Sequence, residues 1–187
     1  VRQQCEQNVR EYYKKSVLLR NDDHFEIQFK EIFDHMAALY GLDDMQKDQL
    51  MQWEIEGELE AVIPLVPQIS LLKKYIAEGN DIVLISDMYL PKEVIVKLLQ
   101  KADPLLATLP LYVSSEVGHQ KTTRKLFLHV YSDLDYCYEK WIHIGDNRFA
   151  DQVQPEMLGI QTAPIPVPEW TPYELSLIHI SEPTRPL

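Results

Sequence analysis

Beyond Pro67 the chain alternates short apolar runs with stretches of helical length, and that alternation limits its fold more than any other feature. Asp81–Ser86 (DIVLIS), Leu111–Ser114 (LYVS), Trp141–Ile144 (WIHI) and Gln161–Ile165 (QTAPI) read as strands. Ile69–Glu78, Pro91–Ala102, Thr122–Leu134 and Arg148–Leu158 read as helices, the first closed by Gly79 and the second opening on a proline in its first turn. Strands alternating with helices of about 10–15 residues need crossover connections, which gives a parallel sheet covered by helices. The expected class is α/β, with a Rossmann-like parallel sheet.

Before Pro67 the rhythm is helical throughout. Phe25, Phe29, Ile32, Phe33, Met36 and Leu39 fall on one amphipathic face, and Gly41 is a natural stop after Tyr40. Leu50, Trp53, Glu54 and Leu59–Ile63 suggest another helix, ended near Pro64 and Pro67. The aromatics here read as core, and Glu54, Glu56, Glu58 and Glu60 as a solvated face. Residues 1–67 therefore form an all-helical module, 68–170 an α/β core, and 171–187 a tail of a different kind.

The 187 residues are 45% hydrophobic, a globular composition. A net charge of -11 argues against binding nucleic acid or anionic membranes, whose phosphates repel such a surface. No apolar run approaches the roughly 20 residues that span a bilayer, and the polar N-terminus is no signal peptide. Cys5 and Cys137 lack metal-ligand spacing, so two free thiols in a reducing cytoplasm are expected.

In an open parallel sheet, ligands bind outside the carboxyl ends of the strands. Ser86 and Asp87 follow one strand; Ser114, Ser115 and Glu116 follow the next and lead to Lys121; the third stops at Gly145 and hands over to Asp146, Asn147 and Asp151. A hydroxyl, an ammonium and a pair of carboxylates suit a phosphoryl group with magnesium: hydroxyl and lysine for the phosphate oxygens, carboxylates for a hard cation. No cysteine or histidine pair has zinc spacing. Ser86 alone is most simply a helix cap, and it is the company of Lys121 and Asp146 that changes its reading. Lys125, one turn beyond Lys121, is an alternative to it. His143 reads as a satisfied packing histidine, His119 as a loop residue near Lys121, and Tyr89 as facing the helical module. Asp22–Asp23 and Asp43–Asp44 read as caps or solvated turns.

The ordered trio of Ser86 after an apolar strand, Lys121 ahead of a helix, and Gly145–Asp146 with Asp151 five positions on resembles motifs two, three and four of the haloacid dehalogenase (HAD) superfamily. The strings ISDMYLP, YVSSEVGHQK and IHIGDN resemble a branch of predicted HAD hydrolases, some attached to glycosyltransferases. The resemblance covers roughly Ile69 to Pro166, and the helical module is similar to the cap inserted between the first and second motifs of such proteins. It implies that Ser86 binds a phosphoryl oxygen, that Lys121 holds nucleophile and phosphate, and that Asp146 coordinates Mg2+. Asp151 would support that metal directly or through water. The backbone N–H of Asp87 would join the phosphate cradle.

The family also requires an aspartate nucleophile in a DxD at the end of its first strand, forming an aspartyl-phosphate. No DxD precedes the helical module here. That first strand would lie between the strands ending at Ser86 and Gly145, so the chain is expected to be a fragment, inactive and poorly stable alone. The opening at Val1, inside a helical pattern, points the same way. The tail Leu175–Arg185 (LSLIHISEPTR) resembles the in-frame translation of a transposase sequencing adapter, which would make roughly the last dozen residues no part of the evolved protein. The intact parent is expected to be a Mg2+-dependent phosphatase for a small phosphorylated metabolite, such as a nucleotide or sugar phosphate. The alternative is a noncatalytic HAD-like binding or scaffold module beside a fused or neighbouring glycosyltransferase.

Overall fold

The computed structural model describes residues 1–20, 26–135, 137 and 140–165, with side chains omitted for 16–20. Asp22, Asp23, Phe25 and the tail 171–187 lie outside the described residues. The chain divides into two compact units, Val1–Cys137 and Tyr138–Leu187.

The first unit opens with four helices, α1 (Arg2–Arg20), α2 (Phe29–Tyr40), α3 (Asp44–Ala61) and α4 (Val66–Ala77). Helix α2 buries Phe29, Ile32, Phe33 and Met36, as its periodicity requires. Gln28 and Glu31 cap its start reciprocally, and Gly41 ends it in the left-handed conformation at φ 66°. Leu39, expected on the same face, sits in the last turn at its rim and is exposed.

Helix α3 starts at an Asp43 cap. The Asp43 carboxylate accepts from the Gln46 N–H at 2.8 Å, and the Gln46 side chain accepts the Asp43 N–H in return at 3.1 Å. None of its residues is fully buried, and Trp53, read from sequence as core, is 59% exposed. Helix α4 begins at Val66 rather than Ile69, because Pro67 fits the first turn, where its missing N–H costs nothing.

Strand β1 (Leu84–Ser86) then pairs in parallel with β2 (Leu111–Val113), Leu84 opposite Leu111 and Ser86 opposite Val113. The apolar run before β1 starts at Asp81, yet the ladder begins only where the Leu84 N–H meets the Pro110 carbonyl at 2.8 Å. Before Pro110 the neighbouring chain is coiled into a 3-10 turn, Leu106–Thr108, and offers no extended partner. Helix α5 (Lys92–Ala102) connects the two strands. Ser114, read as a strand end, instead opens a helical turn, α6 (Ser114–Val117). A 3-10 turn at Lys121–Thr123 stops at Arg124, whose φ of 64° separates it from α7 (Lys125–Leu134).

One hydrophobic cluster joins these parts: Cys5 and Val9 of α1, the buried face of α2, Leu90, Val94 and Ile95 of α5, and Leu111 and Val113 of β2. Helical module and sheet thus share a core across the Pro67 boundary at which the composition changes. A buried carboxylate reinforces the junction. Glu26, 2% exposed, accepts from Arg10 Nη1 (2.9 Å) and the Ile27 N–H (3.0 Å) at one oxygen. Its other oxygen accepts from Ser114 Oγ (2.9 Å) and Gln120 Nε2 (3.0 Å). Four donors on two oxygens offset the loss of water around the charge.

In the second unit β3 (Ile142–Gly145) pairs in parallel with β4 (Gln161–Pro164), Gly145 opposite Pro164. The helix expected over Arg148–Leu158 is instead a π-type turn, Arg148–Val153, followed by the short α8 (Gln154–Glu156). Pro155 accounts for the change: it has no N–H to donate, and in a regular helix its ring meets the carbonyl four residues back, a conflict that a wider turn relieves. The fold is mixed α/β and mainly helical, and its four described strands belong to two separate parallel sheets. No described helix is long and apolar enough to cross a membrane.

Phe33 and Trp53 carry a direct test of this packing. Phe33→Ala is expected to cost about 3–5 kcal/mol in urea unfolding, and Trp53→Ala no more than about 0.5 kcal/mol.

Candidate functional site

In the first unit, Ser86 is the last residue of β1 and Asp87 follows it. The Asp87 carboxylate turns to the backbone N–H of Lys121, 34 positions along, accepting at 2.8 Å and 3.0 Å on its two oxygens. The residues read from two separate motifs are thereby brought together. Asp87 does so by its side chain, which sequence reasoning did not anticipate, having assigned it only a backbone N–H. Lys121 is half-buried and opens its 3-10 turn from this fixed main-chain position.

Ser114 and Ser115, both fully buried, hold the segment after β1 in place. The Met88 N–H donates to Ser114 Oγ at 2.9 Å, and Ser115 Oγ donates to the Leu90 carbonyl at 3.1 Å. The Glu116 carboxylate accepts the Lys92 N–H at 3.3 Å. All three side chains, candidates by position, are committed to the loop instead.

Tyr89 faces the helical segment, as its position suggested. Its ring stacks on Phe29 with centroids 6.2 Å apart, and the Arg2 guanidinium lies 4.6 Å from its centroid. Arg2 is held in turn by Glu54, at 2.8 Å and 2.5 Å, and by Glu6. Burial pushes the Tyr89 phenol above its ordinary value, against the opposing pull of Arg2.

Lys125 lies beyond the Arg124 kink, at the start of α7. With His119, Leu128 and His129 it lines an open concavity of about 360 Å3. His119 Nδ1 is buried and has no hydrogen-bond partner among the described residues.

In the second unit, Gly145 ends β3, and the two expected metal residues then face opposite ways. Asp146 is exposed, whereas Asp151 is 2% exposed. Asp151 Oδ1 lies 3.0 Å from Nε2 of His143, itself buried on β3, and Oδ2 accepts the Asn147 N–H at 3.0 Å. The Asp151 N–H donates back to the Asn147 carbonyl at 2.7 Å. Asn147 Oδ1 completes the turn by accepting from the N–H groups of Phe149 (3.0 Å) and Ala150 (2.9 Å).

Gly145 is explained by space rather than by torsion. A Cβ there would stand 2.4 Å from Asp151 Cγ and 2.5 Å from Asp151 Cβ. The carboxylate occupies the volume that a side chain at position 145 would need.

Magnesium commonly takes one or two protein carboxylates and fills its octahedron with waters and substrate phosphate. The exposed Asp146 fits that minimal demand, being a hard oxygen donor at a strand's carboxyl end. Among the described residues no three His, Cys, Asp or Glu side chains gather as a ready-made metal cage. The single DxD spacing in the chain, Asp133–Leu134–Asp135, is not a strand-end pair: Tyr112 donates its hydroxyl to Asp133, and Asp135 closes α7 at φ 51°.

Glu26 and the bond from His143 to Asp151 were missed as organising contacts. His143 itself, read as a satisfied packing histidine, is buried on β3 as expected, and only its partner was not foreseen. Neither the models of known protein families nor the curated protein sequences match this chain.

Two substitutions test the geometry. Gly145→Ala is expected to cost about 1–3 kcal/mol in thermal unfolding through overpacking against Asp151. Asp87→Ala removes a charged acceptor and is expected to cost about 1.5–3 kcal/mol, with the largest amide shift in an NMR spectrum at Lys121.

Proposed function

We propose that this chain carries the phosphate- and cation-binding segments of a magnesium-dependent hydrolase of HAD type, a phosphatase for a small phosphorylated metabolite. The observation that carries this proposal is the bond from the Asp87 carboxylate to the Lys121 N–H. It ties a hydroxyl-bearing strand end to a lysine that the sequence alone connects only through a resemblance.

The chemistry follows from the groups on the chain. Ser86 donates its hydroxyl to a phosphoryl oxygen. The Lys121 ammonium offsets the charge that spreads over the transferring group, and the Asp87 clamp fixes the main chain from which it reaches. Asp146 would hold magnesium, whose charge would add to that neutralisation. In a HAD-type reaction an aspartate at a strand end would attack phosphorus, and the substrate oxygen would leave with a proton from a second aspartate of the same DxD; among the described residues no strand end carries that pair. Water then hydrolyses the aspartyl-phosphate.

The test is phosphate release from a panel of sugar and nucleotide monophosphates, with and without Mg2+, by a longer protein that includes an apolar strand ending in DxD. Magnesium-dependent release is expected, abolished by Asp146→Asn and lowered about 10²–10³-fold in kcat/KM by Lys121→Ala but not by Lys125→Ala. No release from any phosphate ester by a folded DxD-bearing protein overturns the proposal. Magnesium-dependent release by the 187-residue chain alone removes the external nucleophile.

A further inference from the structure

We propose that His143 and Asp151 form a buried positioning couple that holds the Asp146–Arg148 turn in place, leaving Asp146 as the one carboxylate of the pair that meets the cation. This inference rests on the magnesium reading above and changes the part Asp151 plays in it. The Asp151 carboxylate meets His143 Nε2 at 3.0 Å and the Asn147 N–H at 3.0 Å, and it occupies the space where a Cβ at Gly145 would stand. The carboxylate is nearly sealed from solvent, while Asp146 stands exposed on the outer side of the same turn.

The direction of the couple follows from its neighbours. His143 sits on β3, a strand paired along its length with β4, so its backbone is fixed by the sheet. The turn is less constrained, being built from Asn147 side-chain bonds and a π-type helical segment. Nε2 of His143 is thus the rigid end and Asp151 the tether. By accepting the Asn147 N–H, Asp151 sets the main chain next to Asp146 and so the direction in which the Asp146 carboxylate leaves the strand. Groups that orient a ligand in this way are ordinarily worth about 10–100-fold in metal affinity.

Paramagnetic Mn2+, standing in for Mg2+, tests this on the 187-residue chain by NMR line broadening at Asp146, with the Asn147 amide shift read in parallel and circular dichroism as the check on folding. Asp146→Asn is expected to abolish the broadening. His143→Leu and Asp151→Asn are expected to weaken Mn2+ binding about tenfold and to move the Asn147 amide. His143→Gln, which keeps an N–H donor, is expected to recover both, a rescue that a purely packing role does not give.

Two results overturn the couple and leave the magnesium reading intact. One is unchanged Mn2+ binding and an unmoved Asn147 amide in folded His143→Leu. The other is complete loss in Asp151→Asn with none in His143→Leu, which makes Asp151 a direct ligand. Absence of broadening at Asp146 in the unaltered chain overturns the magnesium reading and the couple's role toward the cation together. An Asn147 amide that still moves in His143→Leu marks that failure as belonging to the metal.

Discussion

Glu26 is a charge removed from water, and much of the first unit is arranged around making that tolerable. Burying a carboxylate costs several kcal/mol unless its lone pairs are met by donors. Here the donors come from three places far apart in sequence: Arg10 on α1, the Ile27 backbone at the entry to α2, and Ser114 and Gln120 after β2. Through this one carboxylate α1, the entry to α2 and the segment after β2 are hydrogen-bonded to a common point. Gln120 also immediately precedes Lys121, so the same carboxylate that joins α1 to the sheet constrains the approach to the candidate phosphate lysine. The hydrophobic cluster supplies the driving force, and Glu26 adds directed bonds between the same elements.

A division of labour runs through the polar residues at the strand ends. Ser114, Ser115, Asp87, His143 and Asp151 all turn inward and satisfy backbone or buried groups. Asp146 turns outward. Ranked by residue type alone these groups look equally suited to bind a ligand, yet most of them are committed to shaping the loops. An inward-facing polar residue is not without functional weight, since it decides where the outward-facing one points.

How much was legible in the sequence depended on the range of the interaction involved. The end of α2 at Gly41, the Asp43 cap, α5 and the positions of β2, β3 and β4 follow from periodicity and local caps, which act within a turn or two. The shortening of β1 does not, because it is set by the coil at Leu106–Thr108, more than twenty residues away. Trp53 looks like core by composition, but burial depends on what lies opposite, and on α3, none of whose residues is fully buried, it stays exposed. The π-type turn at Arg148–Val153 was written in Pro155, a residue whose effect reaches backwards along a helix and is easily read as falling inside it. For the site, sequence order located Ser86, Lys121 and Asp146 at strand or turn ends. It could not say that Asp87 clasps Lys121 or that Asp151 lies inside, since both depend on contacts that spacing does not encode.

The close approach of Gly145 to Asp151 implies a rule of inheritance. At the present backbone separation the space between them holds one side chain, because a Cβ at 145 falls within 2.5 Å of the Cβ at 151 as well as of the carboxylate beyond it. The two positions are therefore a single steric decision written at two places in the sequence. A lineage that gained a side chain at the first would have to surrender one at the second, or move the strand away from the turn. Among distant relatives the pair should change in concert or stay fixed, making glycine with aspartate six residues later a more discriminating mark of descent than either residue alone.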